Sequence, residues 1–182
     1  MSIVSGTGAV HLTDDVRSAV VAVSKRYHFT TTTSASDNSP LFVPFCTLKF
    51  VDGKQSCLTI DTVSATTPAS SSSSDSGSEM AAATWESLVA SLPRDQCRMA
   101  VAQMPWRAHA DGVVRSRLVF ILWAPEATST KERMVASMFA KGAKGLIDQW
   151  GAGMSLPIQA AGVDDLALED VEDKIRAKAT VK

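Results

Sequence analysis

Three cysteines and three histidines are the residues of this 182-residue chain with the most scope for chemistry. Cys46, Cys57 and Cys97 are odd in number, show no C-x-x-C spacing and each fall in a stretch that reads as a strand. Free cysteine is among the most buried residue types, so reduced, buried thiols account for them better than a disulfide framework or a zinc site. His11, His28 and His109 lie in three separate segments with polar surroundings, the pattern of surface or loop histidines. No local motif links any of them to Cys97 or Asp111 as a nucleophile needs to be linked to its base. G-x-S-x-G, G-x-x-x-x-G-K-[ST] and H-E-x-x-H do not occur, and Gly6-Thr7-Gly8 precedes a helix without a strand before it. Catalysis is therefore the weaker class of function, and neither metal nor cofactor is expected.

The remaining chemistry is charge. Ser129 with Glu132 three residues on is a capping-box signature, which makes Ser129 an N-cap and Thr130 to Met134 the first turn of a helix. Lys131 and Arg133 then sit against the positive end of the helix dipole, at a cost of a few tenths of a kcal/mol up to about 1 kcal/mol. Such cations are either solvated and tolerated or matched by an acidic partner. The chain as a whole is nearly neutral, with a net charge of -1, which argues against a nucleic-acid partner held by bulk charge. The N-terminal stretch MSIVSGTGAVHL has neither the charged region nor the apolar length of a signal peptide. No run approaches the roughly 18 apolar residues of a membrane span. The expected location is the cytoplasm.

Around these residues the chain organises as one domain over 1–182. Thr13-Asp14-Asp15 caps and charges a helix to about Arg26, with Val16, Ala19, Val20, Val23 and Tyr27 as its apolar stripe. Residues 28–39 read as a loop. LFVPFCTLKF and QSCLTIDTV flank Asp52-Gly53, a hairpin signal. The serine-rich stretch after it, 64–80, lacks the apolar groups needed to offset the entropy of ordering and is expected to be a disordered surface loop. Trp85, Leu88, Val89 and Leu92 mark a short helix that Pro93 ends, and QCRMAVAQM reads as a core strand. Asp111-Gly112 connects it to an antiparallel neighbour, the apolar run Leu118 to Trp123, whose length suits a strand buried on both faces. The helix after Ser129 should reach Trp150 although Gly142 and Gly145 weaken it. SLPIQA forms another short strand, and an acidic-then-basic helix runs from about Leu166 to Ala179, with Leu168, Val171 and Ile175 on one face. Strand–strand steps mixed with single helices imply an α/β fold, a three-layer α/β/α sandwich around a mixed sheet of five or six strands.

The segment RSRLVFILWAPEATSTKERM, Arg115 to Met134, resembles the signature region of the actin-depolymerising factor (ADF)/cofilin family. There a basic-Ser-basic element leads into an apolar strand ending in Trp-[AS]-Pro, and a helix opens with spaced cations before a Met. LPRDQCRMAVAQM, LPIQA and GAVHLTDDV are similar to further family segments, in the family's order and over most of the chain. The resemblance implies a single ADF-homology domain, gelsolin-like in fold, that binds actin monomers and filaments, acts as a monomer itself and severs and depolymerises filaments.

In the family the cations of the long helix's first turn and the N-terminal arm contact the actin monomer. The matching residues are Lys131, Arg133, Met134, Ser5 and Gly6, with Lys141 and Lys144 further along the helix. A second, filament-binding surface matches Arg115 and Arg117 ahead of the signature strand and Asp173, Lys174 and Lys178 of the last helix. The chain departs from the pattern after Met134, where VASMFAKGAKG is one residue longer before Lys141, and at its start, where SGTG makes Ser5 the counterpart of the regulatory phosphorylated serine. Phosphate there adds about -1.5 to -2 charge to an actin-facing arm. A non-severing relative, coactosin-like or glia-maturation-factor-like, is the alternative within the fold. The same basic residues suit phosphoinositide lipids, which inhibit family members.

Overall fold

The computed structural model describes residues 3–5, 10–28, 44–51, 54–64, 76–107, 114–150 and 155–180. The element order is β1 (Ile3–Ser5), β2 (His11–Thr13), α1 (Asp14–His28), β3 (Phe45–Val51), β4 (Lys54–Val63), α2 (Ser76–Ser91), β5 (Arg98–Arg107), β6 (Val114–Trp123), α3 (Thr130–Trp150), β7 (Leu156–Ala160), a 3-10 turn (Val163–Leu166) and α4 (Leu168–Thr180). The strands form one sheet in the order β1-β2-β4-β3-β5-β6-β7. β2–β4 and β6–β7 pair in parallel and the other neighbours antiparallel, which makes the sheet mixed as expected. Six strands, β2 to β7, make up its body, and the three-residue β1 extends the edge to a seventh.

Period-2 alternation in the central strands divides the core into two layers. Met99 and Val101 of β5 and Leu118, Phe120 and Leu122 of β6 pack with Val16, Val20 and Val23 of α1 and Ala136, Phe139, Ala143 and Ile147 of α3. Their sequence neighbours Ala100, Ala102, Val119, Ile121 and Trp123 pack on the other face with Trp85 and Leu88 of α2, Leu92 just after it, and Val171 and Ile175 of α4. The run Leu118 to Trp123 is thus buried on both faces, which is why it is continuously apolar.

Several local expectations are corrected. Thr13 ends β2, and its buried hydroxyl has no hydrogen-bond partner among the described residues, so it does not cap α1. The expected disordered stretch 64–80 is ordered at both ends. The Phe45 amide donates to Ser64 Oγ at 3.0 Å and the Ser64 amide to the Phe45 carbonyl at 2.9 Å. At the other end α2 already begins at Ser76, because Glu79 suits a helix N-terminus and Met80 with three alanines supplies strong helix formers. Residues 65–75, positions 29–39 of the loop expected at 28–39 and both Asp-Gly turns lie outside the described residues, while His28, expected in that loop, is the last residue of α1. The strands flanking Asp52-Gly53 do pair antiparallel, with Val51 opposite Lys54.

A register shift in that hairpin has a consequence for charge. Thr47 stands opposite Thr62 and Leu48 opposite Ile60, leaving Asp61 as the extra residue of a bulge. Its carboxylate reaches Lys49 Nζ at 3.0 Å and Arg98 Nε at 2.8 Å. Partial burial pushes the Asp61 pKa up, but the hydrogen bonds and charges of Arg98 and Lys49 outweigh it and hold the carboxyl below its ordinary 3.8.

Candidate functional site

The start of α3 is built by two hydrogen bonds of different origin. Ser129 Oγ accepts from the Glu132 amide at 3.2 Å, which confirms Ser129 as N-cap. The Glu132 carboxylate, by contrast, leaves the capping box and accepts from the Cys97 amide at 2.8 Å. This ties the first turn of α3 to the start of β5 and removes the only acid of that turn from the outward face. At the far end Asp148 Oδ1 accepts from the Ser155 amide at 2.8 Å and from Ser155 Oγ at 2.5 Å, fixing α3 to the beginning of β7.

Between these anchors the helix presents two faces. Ala136, Phe139, Ala143, Leu146 and Ile147 are buried. Lys131, Met134, Ser137, Met138, Lys141, Gly145 and Gln149 are exposed. Met134 and Met138 are 68% and 66% exposed, and among the described residues only Val63 and Val163 are comparably exposed large apolar side chains. Lys131, Met134, Met138 and Lys141 follow one another at spacings of three, four and three, a single line about 15 Å long. Two cations bracket two methionines on a helix that is hydrogen-bonded to the sheet strands' starts near both ends.

Not all of the sequence-derived residues share this line. Arg133 is half-buried, its Nε without a hydrogen-bond partner among the described residues. Its charge bears on Cys97, whose thiol pKa is raised by burial and then by Glu132, against the lowering effects of Thr128, Arg133 and Arg98. Lys144 is engaged within the helix, its Nζ binding Asp148 Oδ2 at 2.5 Å in an i,i+4 pair, and both side chains are only about one-fifth exposed. Ser5 is the last residue of β1, opposite His11, so the expected N-terminal arm is built into the sheet edge at that point; Gly6 lies outside the described residues.

The second set of residues sits across the sheet. Arg115 stands opposite Trp106, and Arg117 opposite Met104, in the β5–β6 register. Strand alternation puts position 117 on the face of Val119 and Ile121, the face α4 covers. Arg117 is half-buried and its Nε has no hydrogen-bond partner among the described residues. On α4, Asp173, Lys174 and Lys178 are exposed. Asp173 Oδ1 accepts from Arg176 at 3.0 Å, and Glu172 binds the same guanidinium at 2.7 Å. The sequence reading omitted Arg176 and Glu172. Their i,i+4 spacing was the available signal.

A cleft of ≈ 640 Å³ opens beside Lys131, lined by Lys49, Phe50, Gln96, Cys97, Arg98 and Glu132 among others. Asp61 already engages Lys49 and Arg98. Cys97 in its lining, like Cys46 and Cys57, is free and buried, as the sequence implied. Burial pushes the Cys46 thiol up to about 12, far from a reactive thiolate. His11 lies in β2 and not in a loop; His109 lies outside the described residues.

These features define an α/β/α domain whose distinctive element is an exposed cation–methionine helix face. Residues 45–176 match the family model described as cofilin/tropomyosin-type actin-binding protein, and the chain belongs to the ADF/cofilin family. It is 28% identical over 92 residues to actin-depolymerizing factor 9 of Arabidopsis thaliana, a match covering 50% of this chain and 62% of that protein. The matched part is thus less than two thirds of that relative's own length. Among solved structures it is similar to an ADF-like protein, UNC-60A, of Caenorhabditis elegans, with a TM-score of 0.62 at 17% identity, covering 94% of this chain and 96% of that one. A coactosin from Entamoeba histolytica superposes with a TM-score of 0.59 at 18% identity over 95% of this chain and 99% of that one.

The Asp148 knot yields a prediction. Partial burial raises the Asp148 pKa, but Lys144 and the two Ser155 bonds outweigh it and lower it below 3.8. A carboxyl with a depressed folded pKa contributes stability that is present above its unfolded pKa and is lost as pH falls through the folded value. The thermal midpoint should therefore hold down to about pH 5 and drop below about pH 4. Asp148→Asn with Asp61→Asn should start lower at neutral pH and lose the acid-dependent part of that drop, as read by circular dichroism melts from pH 2 to 7. An acid profile equal to that of the parent chain would contradict the two networks.

Proposed function

We propose that this protein binds actin monomers and filaments in the cytoplasm and severs and depolymerises filaments, regulating their turnover. The observation that carries this reading is the placement of two polar surfaces on opposite faces of one sheet. The α3 line of Lys131, Met134 and Lys141, flanked by Arg133, is suited to one subunit. Arg115 and Arg117 with Asp173, Lys174 and Lys178 of α4 are suited to a second. A rigid domain that engages two neighbouring subunits strains the contact between them, and tighter binding to the strained filament shifts the filament towards it.

The dipole-opposing cations fit this reading. Their field adds to the half-charge of the α3 N-terminus, so an acidic, partly apolar cleft on actin would offset their cost. Phosphate on Ser5 would oppose the same contact, and phosphoinositide headgroups would compete for the cations. A second reading, a filament binder without severing activity, is favoured by one observation: Lys144 is held by Asp148 and is not offered by α3.

Co-sedimentation with preformed filaments over a range of protein concentrations, with both proteins quantified, separates the readings. Severing and depolymerisation predict that the protein pellets while actin shifts into the supernatant. Pelleting without loss of filament supports the second reading, and failure to pellet overturns filament binding.

A further inference from the structure

Met138 has no structural employment. The apolar stripe that α3 turns to the sheet runs through Val135, Ala136, Phe139, Ala143, Leu146 and Ile147, and position 138 lies off it. A methionine recruited to the core would be buried, yet Met138 is 66% exposed and stands one turn beyond Met134, which is 68% exposed. The relief around the pair is low. Ser137 is small and exposed, and nothing lies within 4 Å of the position a Cβ on Gly145 would take. Lys131 and Lys141 close the line at its two ends, and Glu132, which would have broken its charge pattern, is turned onto Cys97.

From this placement we propose that Met138 is a second apolar anchor for monomeric actin. It makes the α3 contact line apolar between Met134 and Lys141 and sets how tightly this chain holds its partner. The inference rests on the actin-binding reading above and deepens it. Unbranched thioethers adapt to an irregular apolar groove, and two of them at i and i+4 form a continuous ridge where one would form a point. The bracketing lysines complement an acidic rim, so the occupant is an apolar groove with carboxylates at both ends. A lipid surface would call for cations along the whole face and not only at its ends.

The test is a titration of actin monomer, followed by fluorescence of labelled actin, with four forms of the full chain: unaltered, Met138→Ser, Met138→Leu, and Lys131→Ala with Arg133→Ala. The expected result is that Met138→Ser weakens binding about tenfold, a loss within the range of burying one apolar side chain, while Met138→Leu stays within about twofold. Thermal melts should be unchanged in both, because the side chain is exposed. If Met138→Ser binds like the unaltered chain while the double alanine variant is weakened, the second anchor is wrong and the actin-binding reading stands. If neither variant is weakened, or no form binds, the site itself is wrong and the inference falls with it. A loss with Met138→Leu equal to that with Met138→Ser would also overturn it, since the effect would not follow apolar area.

Discussion

Replacing Lys131 and Arg133 together by alanine is expected to weaken binding of monomeric actin by about 2–3 kcal/mol, or roughly 30- to 150-fold. The magnitude follows from where the two charges sit. Lys131 is exposed in the first turn of α3, and Arg133 is half-buried beside it, its Nε without a hydrogen-bond partner among the described residues. Desolvating these charges is compensated only if the partner supplies carboxylates, so removing them forfeits the compensation and leaves the partner's acids unpaired. Stability should move the other way or stay level, because two cations no longer oppose the helix dipole. Binding by the unaltered chain should also weaken as salt is raised from low to physiological concentration, and binding by the variant much less. Equal affinities for the two forms would remove Lys131 and Arg133 from the site.

The largest loss of stability is expected at Trp85. Its indole is 2% exposed, packs between Leu88 and the α4 layer, and donates from Nε1 to the Leu166 carbonyl at 2.8 Å. That bond fixes the 3-10 turn from which α4 starts. Trp85→Ala leaves a large cavity and an orphaned buried carbonyl, at about 3–5 kcal/mol, which for a chain of this size lowers the melting midpoint by roughly 6–20 °C. Trp85→Phe keeps most of the volume and should cost only the hydrogen bond, about 1–3 kcal/mol. Because Trp85 is on the α4 side of the sheet, filament binding should suffer before monomer binding does. A Trp85→Ala melt close to that of the parent chain would contradict the packing between α2 and α4.

Much of this architecture was legible in the residues because the apolar periods are long and clean. Leu118 to Trp123 has the composition of a strand buried on both faces, and the sheet indeed carries helices on both sides of it. Ser129 marked the start of α3 to the residue. What escaped was decided by tertiary partners. Nothing local shows that Glu132 abandons its capping role for the Cys97 amide 35 positions away in the chain. The i,i+4 spacing of Lys144 and Asp148 was a local signal, but nothing local shows that the same aspartate also holds Ser155. β1 and β2, three residues each, are too short to show a period and exist only because β4 offers an edge. Met138 was visible in principle. Its position four residues after Met134 and off the apolar stripe is a sequence-level sign of a surface kept apolar for a partner, but within a helix already rich in Met, Val and Ala that sign is faint.

The central claim is that the outward face of α3 meets actin. Photo-cross-linking tests it most directly, with a photoreactive side chain placed at Ser137, between the two methionines, and in a separate protein at Ala90, exposed on α2 across the sheet. Irradiation with monomeric actin should give a cross-linked product from position 137 that disappears when Lys131 and Arg133 are alanine, and none from position 90. Capture from position 90 with none from 137 would contradict the assignment of this face.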